Sequence, residues 1–248
     1  MNRRWLLGWV GMTVIAALAP LHAAETPVTG FLNRTVTVEG KEHPYVVYLP
    51  RDYTPERKWP VILFLHGAGE RGTDGLKQTQ VGIGTALRFH PERFPAVVVM
   101  PQCLPGERWT DRMADVALKA LDDTVQRYQG DPNRIYLTGL SMGGAGSWYL
   151  GTAHPHRFAA IVSICGRGDI PGIVTGLKDS PVWIVVGDQD QAQTVQFARD
   201  AHQALKAGGS TTVRYTEYPG VGHNSWDKAY AAPELAAWLF AQRLKTDG

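Results

Sequence analysis

Apolar runs and stretches of helical periodicity alternate along most of the chain. Residues 61–65, 96–100, 135–138, 160–164 and 182–186 are almost wholly apolar. Short continuous runs of this kind mark strands buried on both faces. Residues 33–38 and 44–49 instead alternate apolar with polar and are rich in Val and Tyr, which predicts an opening hairpin. Residues 212–218 also alternate, which suits a strand nearer the sheet edge.

Helical patterns fall between the runs. Residues 113–128 place Val116, Leu118, Leu121 and Val125 on one helical face. Residues 145–153 form a short, small-sided stretch, and 193–207 end at Gly208-Gly209, a C-cap signal. Residues 233–244 open with Pro233-Glu234, as helix N-termini do. Strands alternating with helices predict an α/β fold, with a mainly parallel sheet covered on both faces.

Composition narrows this picture. The chain has 248 residues, of which 44% are apolar and 19% charged, enough for one well-packed domain. The formal net charge of +2 comes from Arg3 and Arg4, in a leading segment without acids. The rest is balanced and holds no basic run, so neither nucleic acid nor an anionic membrane is an expected partner. Asn2-Arg3-Arg4 followed by an apolar stretch to Leu18, Pro20 and a small-residue site at Ala23 predicts a signal peptide over 1–23. The apolar stretch is shorter than the roughly 20 residues a membrane span needs, so no stable membrane anchor is expected. The mature domain is then 24–248, exported to a periplasm or outside. Arg3-Arg4 partly matches a twin-arginine signal, and the export route stays open. No cysteine pair or Cys/His cluster has zinc-site spacing, so no metal is expected.

The candidate chemistry lies in Gly139-Leu140-Ser141-Met142-Gly143. A buried strand leads into this Gly-x-Ser-x-Gly and a small-residue helix follows, the context that makes the serine a nucleophile on a sharp turn. A serine hydroxyl needs a base, and the base an orienting acid. Two acids, Asp188 and Asp190, follow the run at 182–186, and His223 lies in a Gly-rich loop after the last strand. The order Ser, Asp, His is the one such sheets use. His66, after the first buried run, is the competing base. Oxyanion donors are expected from the Met142 amide and from the loop 66–70, with Ala68 the first choice there.

His66-Gly67, Gly139-x-Ser141-x-Gly143, Gly187-x-x-Asp190 and Gly222-His223 together resemble the α/β-hydrolase superfamily over residues 33–244. Pro101-Gln102-Cys103, Ile164-Cys165-Gly166 and Gly222-His223-Asn224-Ser225-Trp226-Asp227 narrow the resemblance. They are similar to the secreted "predicted peptidase" esterases, related to dienelactone hydrolases, feruloyl esterases and polyhydroxybutyrate depolymerases. The resemblance implies Ser141 as nucleophile, Asp190 rather than Asp188 as acid, His223 as base, and no cofactor. In the strand order it implies, two strands separate those preceding Cys103 and Cys165. Only their loops could then form a disulfide, a question the sequence leaves open.

The short segment between 165 and 182 leaves no room for a lid domain, so an open site is expected. Trp109 and Trp226, near strand ends, are candidate substrate-stacking residues, with loop packing the alternative. Glu70-Arg71 is expected to be a surface pair, with substrate contact the alternative. The favoured function is a secreted serine carboxylesterase acting on soluble or polysaccharide-linked esters, feruloyl or acetyl among them. A peptidase with the same triad and a non-catalytic binding module are the alternatives.

Overall fold

A computed structural model describes residues 28–244; the predicted signal peptide and the export sequence lie outside the described residues. Eight strands form one sheet in the order β1-β2-β4-β3-β5-β6-β7-β8. They are β1 (Gly30–Val38), β2 (Lys41–Leu49), β3 (Trp59–Leu65), β4 (Val97–Pro101), β5 (Gly130–Leu140), β6 (Ala160–Ile164), β7 (Val182–Gly187) and β8 (Arg214–Tyr218). The hairpin β1–β2 is antiparallel and joins the sheet antiparallel to β4. From β4 to β8 every pairing is parallel.

Parallel strands need crossovers, and helices supply them. They are α1 (Ile83–Phe89), α2 (Asp111–Arg127), α3 (Met142–Ala153), α4 (Ile170–Leu177), α5 (Ala192–Ala207), α6 (Ser225–Ala231) and α7 (Pro233–Phe240). Side chains of successive strand residues point to opposite faces, so each continuous apolar run feeds two cores. Val61, Leu63 and Leu65 pack with α2, α3, α4 and α5. Ile62 and Phe64 pack with α1, α6 and α7 on the other face. The chain therefore has the α/β-hydrolase architecture, without a lid domain: the segment between β6 and β7 holds only α4.

The predicted strands are all present. The short helices α1, α4 and α6 were not signalled by the sequence, and α7 ends at Phe240 rather than continuing to residue 244. Cys103 and Cys165 are buried free thiols. They follow β4 and β6, which β3 and β5 separate.

Candidate active site

The carboxyl ends of the parallel strands supply the site, where open α/β sheets place theirs. Strand β5 ends at Leu140 and α3 begins at Met142, leaving Ser141 to make the turn alone. Its backbone takes φ 53° and ψ −114°, a conformation costly for a residue with a side chain and one that marks functional turns. The Ser141 amide donates to the Ile164 carbonyl at 2.9 Å, which ties the turn to β6. Neighbouring backbone closes in so tightly that a Cβ on Gly139 would strike the Gly143 carbonyl, and one on Gly143 would strike the Leu65 carbonyl. Glycine is required at both positions for that steric reason.

His223 and Asp190 arrive from the loops after β8 and β7. These loops are laced together: the Gln189 amide donates to the Val221 carbonyl at 2.9 Å and the Gly220 amide to Asp188 Oδ1 at 2.7 Å. Asp188 is thus occupied in holding the turn. Asp190 faces the imidazole: His223 Nδ1 lies 2.9 and 2.8 Å from its two carboxylate oxygens. On the ring's other side, Nε2 lies 2.9 Å from Ser141 Oγ. With Nδ1–H donating to the carboxylate, Nε2 is left free to accept from the serine hydroxyl. The Asp190 side chain has no solvent exposure, whereas that of His223 is 44% exposed. Of the two acids and two histidines weighed from the sequence, Asp190 and His223 are the ones brought to Ser141.

His66 cannot serve as the base. It is fully buried; its Nε2 accepts the Cys103 amide at 2.9 Å and its Nδ1 lies 2.6 Å from the Gly67 carbonyl. Both nitrogens are engaged, and burial pushes its pKa down to about 4. The ring pins the loop after β3 to the loop after β4.

Trp109 is corrected in the same way. It is 1% exposed, so no substrate can stack on it. Its indole N–H donates to the His66 carbonyl at 2.9 Å, and its ring stands edge-on to the imidazole, 5.0 Å between centroids. A Cβ on Gly146 of α3 would run into Trp109, so the missing side chain there makes room for the indole. Trp226 stands edge-on to His223, 5.5 Å between centroids, and is half-buried. It touches the base and is not among the residues lining the cleft.

Ala68 and Met142 both line the cleft beside Ser141 and His223. Ala68 opens a single 3-10 turn, Ala68–Glu70, and Met142 opens α3. First-turn amides have no acceptor within their own helix, so both positions offer free donors. Buried Gln102, to which the sequence gave no role, holds this loop. Its Nε2 donates to the Glu70 carbonyl at 3.1 Å and its Oε1 accepts the Gly75 amide at 2.7 Å.

The cleft encloses about 390 Å³. Arg71 lines it together with Arg108, Arg167, Gln191 and Thr194, none of which the sequence singled out as a certain site residue. The expected surface pair of Glu70 and Arg71 is absent among the described residues. Arg71 Nη2 is 2.9 Å from Met142 Sδ instead. Cys165 also lines the cleft, and its sulfur lies with an Asp190 oxygen and a His223 nitrogen inside a 4.8 Å cluster. Burial pushes this thiol up to about 12, which opposes the thiolate that a metal would require. Asp190 is already engaged by His223 and by the Gln191 amide at 2.6 Å. The cluster suits an acid–base pair better than a cation.

Residues 37–230 match the family model described as "Putative esterase". The chain belongs to the Esterase family. It is similar to a poly(3-hydroxybutyrate) depolymerase of Ralstonia pickettii, 27% identical over 199 residues, covering 70% of this chain and 40% of that protein. It is 23% identical over 226 residues to feruloyl esterase D of Neurospora crassa, covering 86% of this chain and 77% of that one. Among solved structures, a thermostable esterase superposes with a TM-score of 0.78 at 35% identity, covering 86% of this chain and 63% of that one. The Esterase-family chain thus spans less than half of the depolymerase and under two thirds of the thermostable esterase.

Proposed function

We propose that this protein is an exported serine carboxylesterase working through an acyl-enzyme on Ser141. The observation that carries the reading is the continuous hydrogen-bonded line from Ser141 Oγ through His223 to the buried Asp190 carboxylate. Ser141 Oγ attacks the ester carbonyl carbon as its proton passes to His223 Nε2. The oxyanion that forms is held by the Ala68 and Met142 amides. The carbon–oxygen bond to the alcohol then breaks, and His223 returns the proton to the departing oxygen. Water repeats the sequence: it gives a proton to His223, attacks the acyl carbon, and releases the acid as Ser141 regains its proton. Asp190 holds the ring in the working tautomer and stabilises the imidazolium that forms twice in each cycle. Every proton and electron pair is handled by the chain's own groups and water.

Feruloyl or acetyl esters of plant polysaccharide are the natural substrates that the family resemblance suggests, and export over 1–23 would place the mature domain among them. The open cleft suits an acyl group attached to a large alcohol.

Kinetics of single variants on p-nitrophenyl acetate test the assignment. Ser141→Ala and His223→Ala should each lower kcat by roughly a thousandfold or more. Asp190→Asn should cost about a hundredfold or more by disturbing the tautomer, and Asp188→Asn distinctly less. A larger loss in the Asp188 variant would reverse the choice of acid, and full activity of Ser141→Ala would end the serine mechanism.

A further inference from the structure

Three arginines, carried on three different loops, line the cleft. Arg71 follows β3, Arg108 follows β4 and Arg167 follows β6, and all three line the space beside Ser141 and His223. Among the described residues, no carboxylate lines the cleft. The acid closest to the chemistry, Asp190, is wholly buried and paired with His223. Glu70 turns its carboxylate against Gly67, where burial pushes its pKa up. Among the described residues, none of the three arginines has a carboxylate within 4.0 Å, whereas most of the other arginines do, as Arg112 has Glu107 and Arg199 has Glu217; Arg34, Arg51, Arg88 and Arg214 are the others without one.

Arg71 is the most telling of the three. Its neighbours are two sulfurs: Met142 Sδ at 2.9 Å and the Cys103 thiol, whose pKa the guanidinium pulls against the upward push of burial. Sulfur is a weak acceptor for a group with five N–H donors. Its Nε is buried and has no hydrogen-bond partner among the described residues. Leaving a charged donor short of acceptors opposes folding, so nothing in the packing rewards the charge. Among the described residues, Arg167 donates its side-chain hydrogen bond to the neutral Gln193 Oε1, at 3.1 Å. The charge is also local, since the chain without its leading segment carries no net charge to account for it.

We infer that the cleft selects esters carrying a carboxylate close to the scissile bond, such as a half-ester of a dicarboxylic acid or an ester of a hydroxy acid with a free carboxyl end. Arg71, Arg108 and Arg167 bind that carboxylate in the place of the acidic partners they lack. Planar guanidinium groups pair with carboxylates through two parallel N–H donors, which fixes orientation as well as charge. This inference rests on the esterase reading and names its substrate class.

The test compares kcat/KM within two matched ester pairs. One pair carries the charge in the acyl half: p-nitrophenyl hydrogen glutarate against p-nitrophenyl pentanoate. The other carries it in the alcohol half: 4-(butanoyloxy)benzoate against phenyl butanoate, corrected for the alkaline hydrolysis rate of each. In at least one pair the anionic ester should be preferred by roughly tenfold or more, as a charge-assisted hydrogen bond in a half-open cleft implies. The pair that responds identifies the half of the substrate the arginines hold. The preference should shrink as salt is raised from about 20 to about 500 mM, over which the Debye length falls from roughly 20 Å to roughly 4 Å. Arg71→Gln, Arg108→Gln and Arg167→Gln, made singly and combined, should reduce the anionic-to-neutral ratio, and the double and triple variants should abolish it. Turnover of the neutral esters with no anionic preference in either pair would overturn the inference and leave the esterase reading standing. Absence of turnover of all four esters, with no fluorophosphonate labelling of folded protein, would remove the esterase reading itself.

Discussion

His66 and His223 are the same residue type in the loops that follow β3 and β8, and their surroundings set them apart. His223 keeps one face towards the cleft and one nitrogen towards a carboxylate. His66 is sealed between the Cys103 amide and the Gly67 carbonyl. Its depressed pKa has a consequence for stability. Above pH 6.5 the ring is neutral whether the chain is folded or unfolded, so it contributes no pH dependence. Between 6.5 and about 4 the unfolded chain takes up a proton that the folded ring refuses. Stability therefore falls as the pH drops through that window, by on the order of 3 kcal/mol from this residue. Urea unfolding of wild type and His66→Gln at pH 7.5, 6, 5 and 4 would measure it. The variant, although less stable at neutral pH, should lose less on acidification. Parallel pH slopes would mean that His66 is not held neutral. That Ser141 and His223 would lie together was legible from their spacing and order. The choice between Asp190 and Asp188 came only from family resemblance, because both follow the same strand. The loop lacing that occupies Asp188 is a tertiary fact.

At the scale of elements, the buried strands were the most legible part of the chain. A strand covered on both faces must be apolar at every position, and the runs at 61–65 and 182–186 carry that signature. The short helices were not legible. Helix α1 starts after Gly82 at φ 57° with no capping side chain, and both α1 and α6 run for only 7 residues, too short for a helical period to stand out. Trp109 was misjudged because its partner in packing is an absent side chain: Gly146, on a helix far along the sequence, leaves the space it fills. The loops after β3 and β4 consequently act as one unit, joined by His66, Trp109 and Gln102. Trp109→Ala should lower stability by about 3–5 kcal/mol through the cavity it leaves. Trp109→Phe should cost less in stability, yet still lower kcat by freeing the His66 carbonyl and loosening the Ala68 loop. Thermal melts and esterase kinetics of the two variants would separate packing from positioning. Equal kcat in Trp109→Phe and wild type would show that the indole bond does not position the loop.

The whole molecule explains why the cleft's charge was hidden in the sequence. Arg71, Arg108 and Arg167 lie far apart along the chain and meet only because β3, β4 and β6 end at the same edge of one sheet. The same arrangement leaves the site open, since α4 is the only helix between β6 and β7. With no lid among the described residues, hydrolysis of a sparingly soluble ester such as tributyrin should rise smoothly with concentration, without a jump at the solubility limit. A sharp jump in rate there would require a closing element that the open cleft does not have. The central claim concerns Ser141, and it can be tested without choosing a substrate. Residues 24–248 would be treated with a fluorophosphonate probe beside Ser141→Ala, and the adduct mapped by peptide mass spectrometry. The account predicts one adduct, on Ser141, that the variant lacks. Folded wild-type protein that remains unlabelled, or that is labelled equally in the variant, would contradict it.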